Sequence, residues 1–195
     1  MTMQRKAHVS YPHEDVAIPA SVVTPIAAHT LAVLRVVTGF VFLWAFLDKT
    51  FGLHYSTPSA KAWIHGGSPT KGFLSSVEVG PMSSTFHSMA GDLWVNWLFM
   101  LGLLGVGLAL IAGVALRVAA AAGVAMMAMM WLAEFPLAQH TSAGKPSGSV
   151  NPLVDYHVVY AIVLIVLAAT YAGNTWGLGR IWARLPFVGQ HRWAL

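Results

Sequence analysis

Residues Arg35–Gly52, RVVTGFVFLWAFLDKTFG, decide how this chain is read. The run is apolar and has no internal turn signal. With the apolar residues before it, it makes a helix long enough to cross most of a bilayer. A charge near the bilayer centre costs at least a few kcal/mol. This helix nevertheless carries Arg35 towards one end and Asp48-Lys49 at the other. Charges at the two ends of such a helix mark either the water interface or a polar site inside a bundle.

Composition supports the membrane reading. The 195-residue chain is 56% hydrophobic and only 9% charged, with a mean hydropathy of +0.64. A soluble domain carries about 25% charged residues. Its length suits a single domain. Cysteine is absent, which excludes disulfides, thiolate nucleophiles, thiolate-bound zinc and Cys-ligated iron–sulfur clusters. The net charge of +4 contains no basic run, so it indicates loop bias in a membrane protein and no nucleic-acid partner.

Three further apolar segments join the first. Spans are expected at His29–Leu47, Asp92–Leu116, Arg117–Leu137 and Leu153–Gly173, each near the ~20 residues that cross ~30 Å of hydrocarbon. The fold class is therefore all-α, a four-helix transmembrane bundle with an amphipathic outer loop and an interfacial C-terminal segment. Spans two and three meet around Leu116-Arg117, which makes them an antiparallel hairpin. The expected organisation is a tail over 1–28, a membrane domain over 29–173 and an interfacial tail over 174–195. No apolar stretch closely follows Arg5-Lys6, so a signal peptide is not expected. The tails and the tight hairpin hold Arg5, Lys6, Arg117, Arg180, Arg184 and Arg192, against Lys49, Lys61, Lys71 and Lys145 on the other side. This bias places both termini in the cytoplasm of a multi-pass cytoplasmic-membrane protein.

The first outer loop predicts two short amphipathic helices, Pro58–His65 and Gly72–Val79, joined by the Gly66-Gly67-Ser68-Pro69 turn. The second, AQHTSAGKPSGSVNP, reads as flexible and solvated. The C-terminal stretch alternates Trp with Arg and suits an interfacial helix that turns at Pro186. Gly105, Ala109 and Gly113, at four-residue spacing, predict close helix packing answered by Ala119 and Gly123. Met126, Met127, Met129 and Met130 read as filler or lipid contacts.

The outer ends of the spans carry the polar residues. Asp48-Lys49 closes the first span, Asp92 opens the second, Glu134 closes the third, and Asp155, Tyr156 and His157 open the fourth. Four of the seven acidic residues thus share one side. They form either a partly buried site with perturbed protonation or ordinary charges at helix ends, where charge is cheapest. Arg35 either snorkels to headgroups or anchors a polar network in the bundle. Nine histidines raise the question of a metal, but none form an i, i+4 pair and no Glu-x-x-His occurs, so none is expected.

Arg35, Gly39, Phe40, Leu43, Trp44 and Asp48-Lys49 together resemble the first-helix pattern of the DoxX/DoxD membrane proteins, with Phe46 where that family often has Gly. The loop AWIHGGSPTKGFL is similar to that of the DoxD branch, the large subunit of thiosulfate:quinone oxidoreductase. The resemblance covers about residues 30–173. It implies a membrane subunit that passes electrons from a small sulfur anion to quinone beside a small second subunit. On that reading Lys49, Lys71, His157 and the Gly66-Gly67 amides bind the anionic substrate. Trp44, Trp131, Tyr156 and Tyr160 frame the quinone, and Asp48, Glu134 and Asp155 are the catalytic carboxylates. The alternative is a non-enzymatic membrane scaffold that holds a redox partner protein.

Overall fold

A computed structural model of the chain describes residues 23–195. The expected N-terminal tail lies outside the described residues up to position 22. Beyond that, residues 25–28 already belong to the first helix.

Helix α1, Pro25–Phe51, is longer at both ends than the expected His29–Leu47, and its caps explain this. The Thr24 hydroxyl accepts from the Ala27 amide and Pro25 occupies the first turn, where its missing N–H costs nothing. At the other end Gly52 takes the left-handed conformation, with φ 66°, and stops the helix. The outer loop comes next, as 3₁₀ turns at Ser59–Lys61 and Trp63–His65, then α2, Lys71–Ser75, and α3, Ser83–Met89. The two amphipathic helices expected here are therefore shorter than the sequence suggests. A third, α3, follows the Gly80-Pro81 turn, a signal that the sequence reading did not use.

Helix α4, Leu93–Ala112, ends at left-handed Gly113, and α5, Leu116–Glu134, begins after a three-residue link. The hairpin expected from the sequence is present. Helix α6, Tyr156–Ala169, is shorter than the expected Leu153–Gly173. Its 14 residues rise only about 21 Å. Asp155 fixes its start by accepting from the Val158 amide at 3.1 Å. The end comes at Thr170, before a 3₁₀ turn at Ala172–Asn174.

The described residues are helical apart from turns and one isolated bridge, His140 to Pro146. Helix α1 packs along α4, α4 along α5, and α5 along α6, while α1 and α6 touch only lightly. Phe42, Met100, Leu110 and Leu164 lie in the core between them. The outward faces stay apolar: Val37 and Phe40 on α1, Leu98 and Leu101 on α4, and Ile162 and Ile165 on α6 are all exposed. Helices α1, α4 and α5 are each long and apolar enough to cross a membrane. An apolar exterior this extensive requires lipid, so this is a multi-pass helical membrane protein.

Glycine explains how α1 and α4 come so close, but through a different stripe from the expected one. A Cβ on Gly39 would sit 2.9 Å from the Ile111 and Leu110 side chains, and one on Gly107 would sit 2.8 Å from the Leu43 amide nitrogen. Gly105, in the expected stripe, faces open space. Four-residue spacing shows that a stripe exists, and only packing selects which one is used.

A second small core, with Leu74, Val77, Phe86, Val95 and Ala133, seats the outer loop on the ends of α4 and α5. The second outer loop is tied down by the Ser147 and Ser149 hydroxyls, which donate to the Ala138 and Pro136 carbonyls. It is therefore more ordered than its Ser/Gly/Pro content suggests. At the other end of the bundle, the expected C-terminal helix is broken into α7, Gly179–Trp182, and α8, Pro186–Gln190. Pro186 begins α8 where a turn was expected, because proline suits the first helical position.

Candidate functional site

Arg35 is fully buried and meets no carboxylate among the described residues. Its guanidinium donates to the Leu110 carbonyl, to Ile111 at 2.8 Å and to Trp176 at 2.9 Å. The first two belong to the last turn of α4, where unpaired carbonyls and the helix dipole favour a cation. The residue therefore anchors the bundle and does not snorkel. Gly113 and Gly177 crowd around it, and a Cβ on either would lie 3.0 Å from its terminal nitrogens.

Asp48 is also buried, at 1% exposure. It accepts from the Tyr55 amide at 3.2 Å, the Ser56 amide at 3.0 Å and the Ser56 hydroxyl at 2.7 Å. Those bonds fold the chain back after Gly52. The carboxylate is thus engaged by its own loop and stands apart from the Glu134–Asp155–His157 cluster. Lys49 has no carboxylate within 4.0 Å among the described residues. Its register places it seven residues after buried Phe42, on the same side of α1.

Glu134, Asp155, Tyr156 and His157 do come together, whereas Asp92 accepts from the Trp94 indole at 3.1 Å. Tyr156 donates its hydroxyl to Glu134 at 2.7 Å. His157, 1% exposed, holds Asp155 through Nδ1 at 2.9 Å, and the same nitrogen lies 3.9 Å from Glu134. Burial pushes the Asp155 carboxyl up, but the His157 and Val158 hydrogen bonds outweigh it and hold it below the usual carboxylate range. The other ring nitrogen of His157, Nε2, is buried and has no hydrogen-bond partner among the described residues. An open pocket of about 350 Å³ borders this cluster, with Glu78, Glu134, Asp155 and Tyr156 in its lining.

Glu134, Asp155 and His157 offer ligand atoms within 4.8 Å of one another, so a metal ion is geometrically conceivable. The hydrogen bonding favours a different arrangement. A metal on Nδ1 would displace the Asp155 bond and would normally be supported by a partner on Nε2. That partner is missing. The cluster is better described as an Asp–His pair with a tyrosine-bound glutamate at its edge.

The other expected site residues lie apart. The Gly66 and Gly67 amides donate to the Trp63 and Ala62 carbonyls at 3.0 Å each. They are consumed inside the loop and cannot cradle an anion, which corrects the role expected for that turn. Lys71 is exposed, with its stem beside Gly91. Trp44 packs edge-on against Tyr55, Tyr160 against Phe42, and Trp131 donates to the Leu153 carbonyl at 3.1 Å. Of the four aromatic residues expected to frame a quinone, only Tyr156 lines the pocket. Sequence reasoning missed Asn96. Its side-chain oxygen accepts from the Ser68 and Thr70 hydroxyls at 3.0 and 2.7 Å and pins the Gly-Gly-Ser-Pro-Thr loop. A lone Asn among apolar residues in the second turn of a span was the available signal.

No protein-family model, curated protein or solved structure gives a significant match to the chain. The DoxX/DoxD resemblance therefore rests on the residues quoted for it.

Proposed function

We propose that this chain is the membrane subunit of a quinone-linked oxidoreductase, in which His157 hydrogen-bonds the quinone and handles its protons. One observation carries the reading: a buried histidine has one nitrogen tied to Asp155 and the other unpartnered. A buried polar atom without a partner costs about 1–3 kcal/mol. A ligand group arriving at Nε2, a quinol hydroxyl on the neutral ring or a quinone carbonyl on the doubly protonated one, removes that cost. Held by Asp155, the ring is oriented with Nδ1 towards the carboxylate and Nε2 turned away from it, as for a general acid. Glu134 and Asp155 border the open pocket, so they can resupply protons to Nδ1 from water.

The electron donor in this reading is a thiosulfate-like anion. Two thiosulfates and two protons with one quinone give tetrathionate and quinol, which balances two electrons. Glu78, Glu134 and Asp155 in the pocket would repel a dianion, so the anion belongs elsewhere. Lys49, which has no carboxylate within 4.0 Å among the described residues, is the cation we assign to it. The protein sits in the cytoplasmic membrane with both termini inside, in keeping with the excess of Arg and Lys at that end.

Purified chain in lipid nanodiscs would be titrated with a short-chain quinone, followed by tryptophan fluorescence, and then supplied with thiosulfate. Saturable quinone binding that weakens in His157→Phe supports the reading. Absence of quinone binding to well-folded protein overturns it. Binding without turnover leaves the electron donor to a second subunit.

A further inference from the structure

The C-terminal segment stands outside the site described above and presents an unusual surface. Residues 174–195 contain Arg180, Arg184 and Arg192 and no Asp or Glu. All three arginines are exposed, and none makes an ion pair among the described residues. Arg180 and Arg184 are four residues apart on α7 and the turn that continues it. Ile181 and Leu185, both exposed, make the neighbouring row. The opposite side of the same segment is buried: Ala183 is packed and Trp182 donates to the Ala194 carbonyl at 2.7 Å. Phe187 and Trp193 continue the exposed apolar surface.

The segment is also fixed at a defined depth. The Leu178 amide donates to the Ala112 carbonyl, the last residue of α4, at 2.8 Å. Arg117, at the start of α5, donates to the Arg192 carbonyl at 2.8 Å, and its amide to Leu195 at 2.9 Å. Arginine rows and apolar rows thus lie side by side where two membrane spans end.

We propose that this surface is a docking site for anionic phospholipid, with Arg180, Arg184 and Arg192 on headgroup phosphates and Ile181, Leu185, Phe187 and Trp193 in the interface beneath. Charge complementarity selects the occupant: a segment with no acidic side chain and three guanidinium groups that pair with no carboxylate among the described residues favours an anionic leaflet over a zwitterionic one. Guanidinium also matches phosphate oxygens bidentately. The interleaved apolar side chains require hydrocarbon beside the phosphate, which a soluble phosphate or a nucleic acid does not supply.

Native mass spectrometry of the purified full chain, titrated with phosphatidylglycerol or phosphatidylcholine of matched acyl chains, reads the preference directly. Wild type should bind phosphatidylglycerol more tightly. Each arginine neutralised should cost about fivefold, so Arg180→Gln/Arg184→Gln/Arg192→Gln should lose about a hundredfold. The triple Arg→Lys variant should keep most of the preference, and millimolar glycerol phosphate should not compete. Equal affinity of wild type for the two lipids overturns the proposal, as does an unchanged preference in the glutamine variant or competition by glycerol phosphate. If the glutamine variant does not fold, wild type in rising salt decides. The preference must shrink as the charges are screened, and a salt-independent preference overturns the proposal.

Discussion

The guanidinium of Arg35 donates to the Ile111 carbonyl at 2.8 Å, and this bond joins one end of α1 to the last turn of α4. The same side chain reaches the Trp176 carbonyl beyond α6. One buried cation therefore ties three parts of the chain together. Among the described residues its counter-charge is a set of carbonyl dipoles rather than a carboxylate.

Arg35→Met should destabilise the bundle by roughly 3 kcal/mol or more, because several buried carbonyls lose their donor at 1–3 kcal/mol each. Thermal unfolding in detergent would show this as a lower midpoint and poor recovery from membranes. A variant as stable as wild type would remove Arg35 from its anchoring role.

The glycines make a paired test. A Cβ on Gly173 would collide with the Gly113 carbonyl, whereas one on Gly105 meets nothing within 4 Å. Gly173→Ala should cost about 1–3 kcal/mol by overpacking. Gly105→Ala should be neutral, or stabilise by up to about 1 kcal/mol through helix propensity. Equal midpoints for the two variants would contradict the packing described.

Asp48 is expected to matter for its loop. Asp48→Ala removes a charged acceptor from three donors, each bond being worth about 1.5–3 kcal/mol. Amide exchange over residues 53–57 should accelerate, while quinone binding changes little. Exchange at the wild-type rate there would show that the loop holds without it.

Asp155 gives a pH signature. Its folded carboxyl lies below the ordinary value, so the stability it adds is complete above about pH 4 and is lost as pH falls through the folded value. Asp155→Asn should lower the midpoint at neutral pH and make it less sensitive to acid. Midpoints measured from pH 3 to 6 would decide, and an unchanged acid limb in the variant would count against the Asp155–His157 bond.

The spans were legible because twenty apolar residues have few other uses, and the outer-end carboxylates because their positions are set by the spans. Other features depended on contacts that only the fold creates. Gly39 and Gly107 carry no sign of which stripe faces a neighbour. The Gly66-Gly67 turn looked like an anion cradle because sequence does not reveal that both amides bond back to Ala62 and Trp63. Asp48 and Glu134 look alike as acids at span ends. One meets three loop donors, and the other meets a tyrosine and a histidine. The path of the backbone separates them: beyond Asp48 the chain doubles back, and residues 55–56 return to its carboxylate.

His157 decides between an enzyme and a scaffold. His157→Phe keeps a ring of similar shape in the buried position and removes both nitrogens. If Nε2 donates to a quinone oxygen as a charged group, binding should weaken by roughly ten- to hundredfold, from 1.5–3 kcal/mol for a charge-assisted bond. Loss of a positioned proton donor should also lower kcat by about 10²–10⁴. His157→Gln separates the two effects, since an amide can reach the same oxygen and donate a hydrogen bond but cannot deliver a proton. It should recover part of the binding and little of kcat. A purely structural histidine would behave differently: both variants would lose stability together and the folded fraction would turn over normally. That pattern, measured per folded molecule, would assign His157 to the architecture of α6 and favour the scaffold.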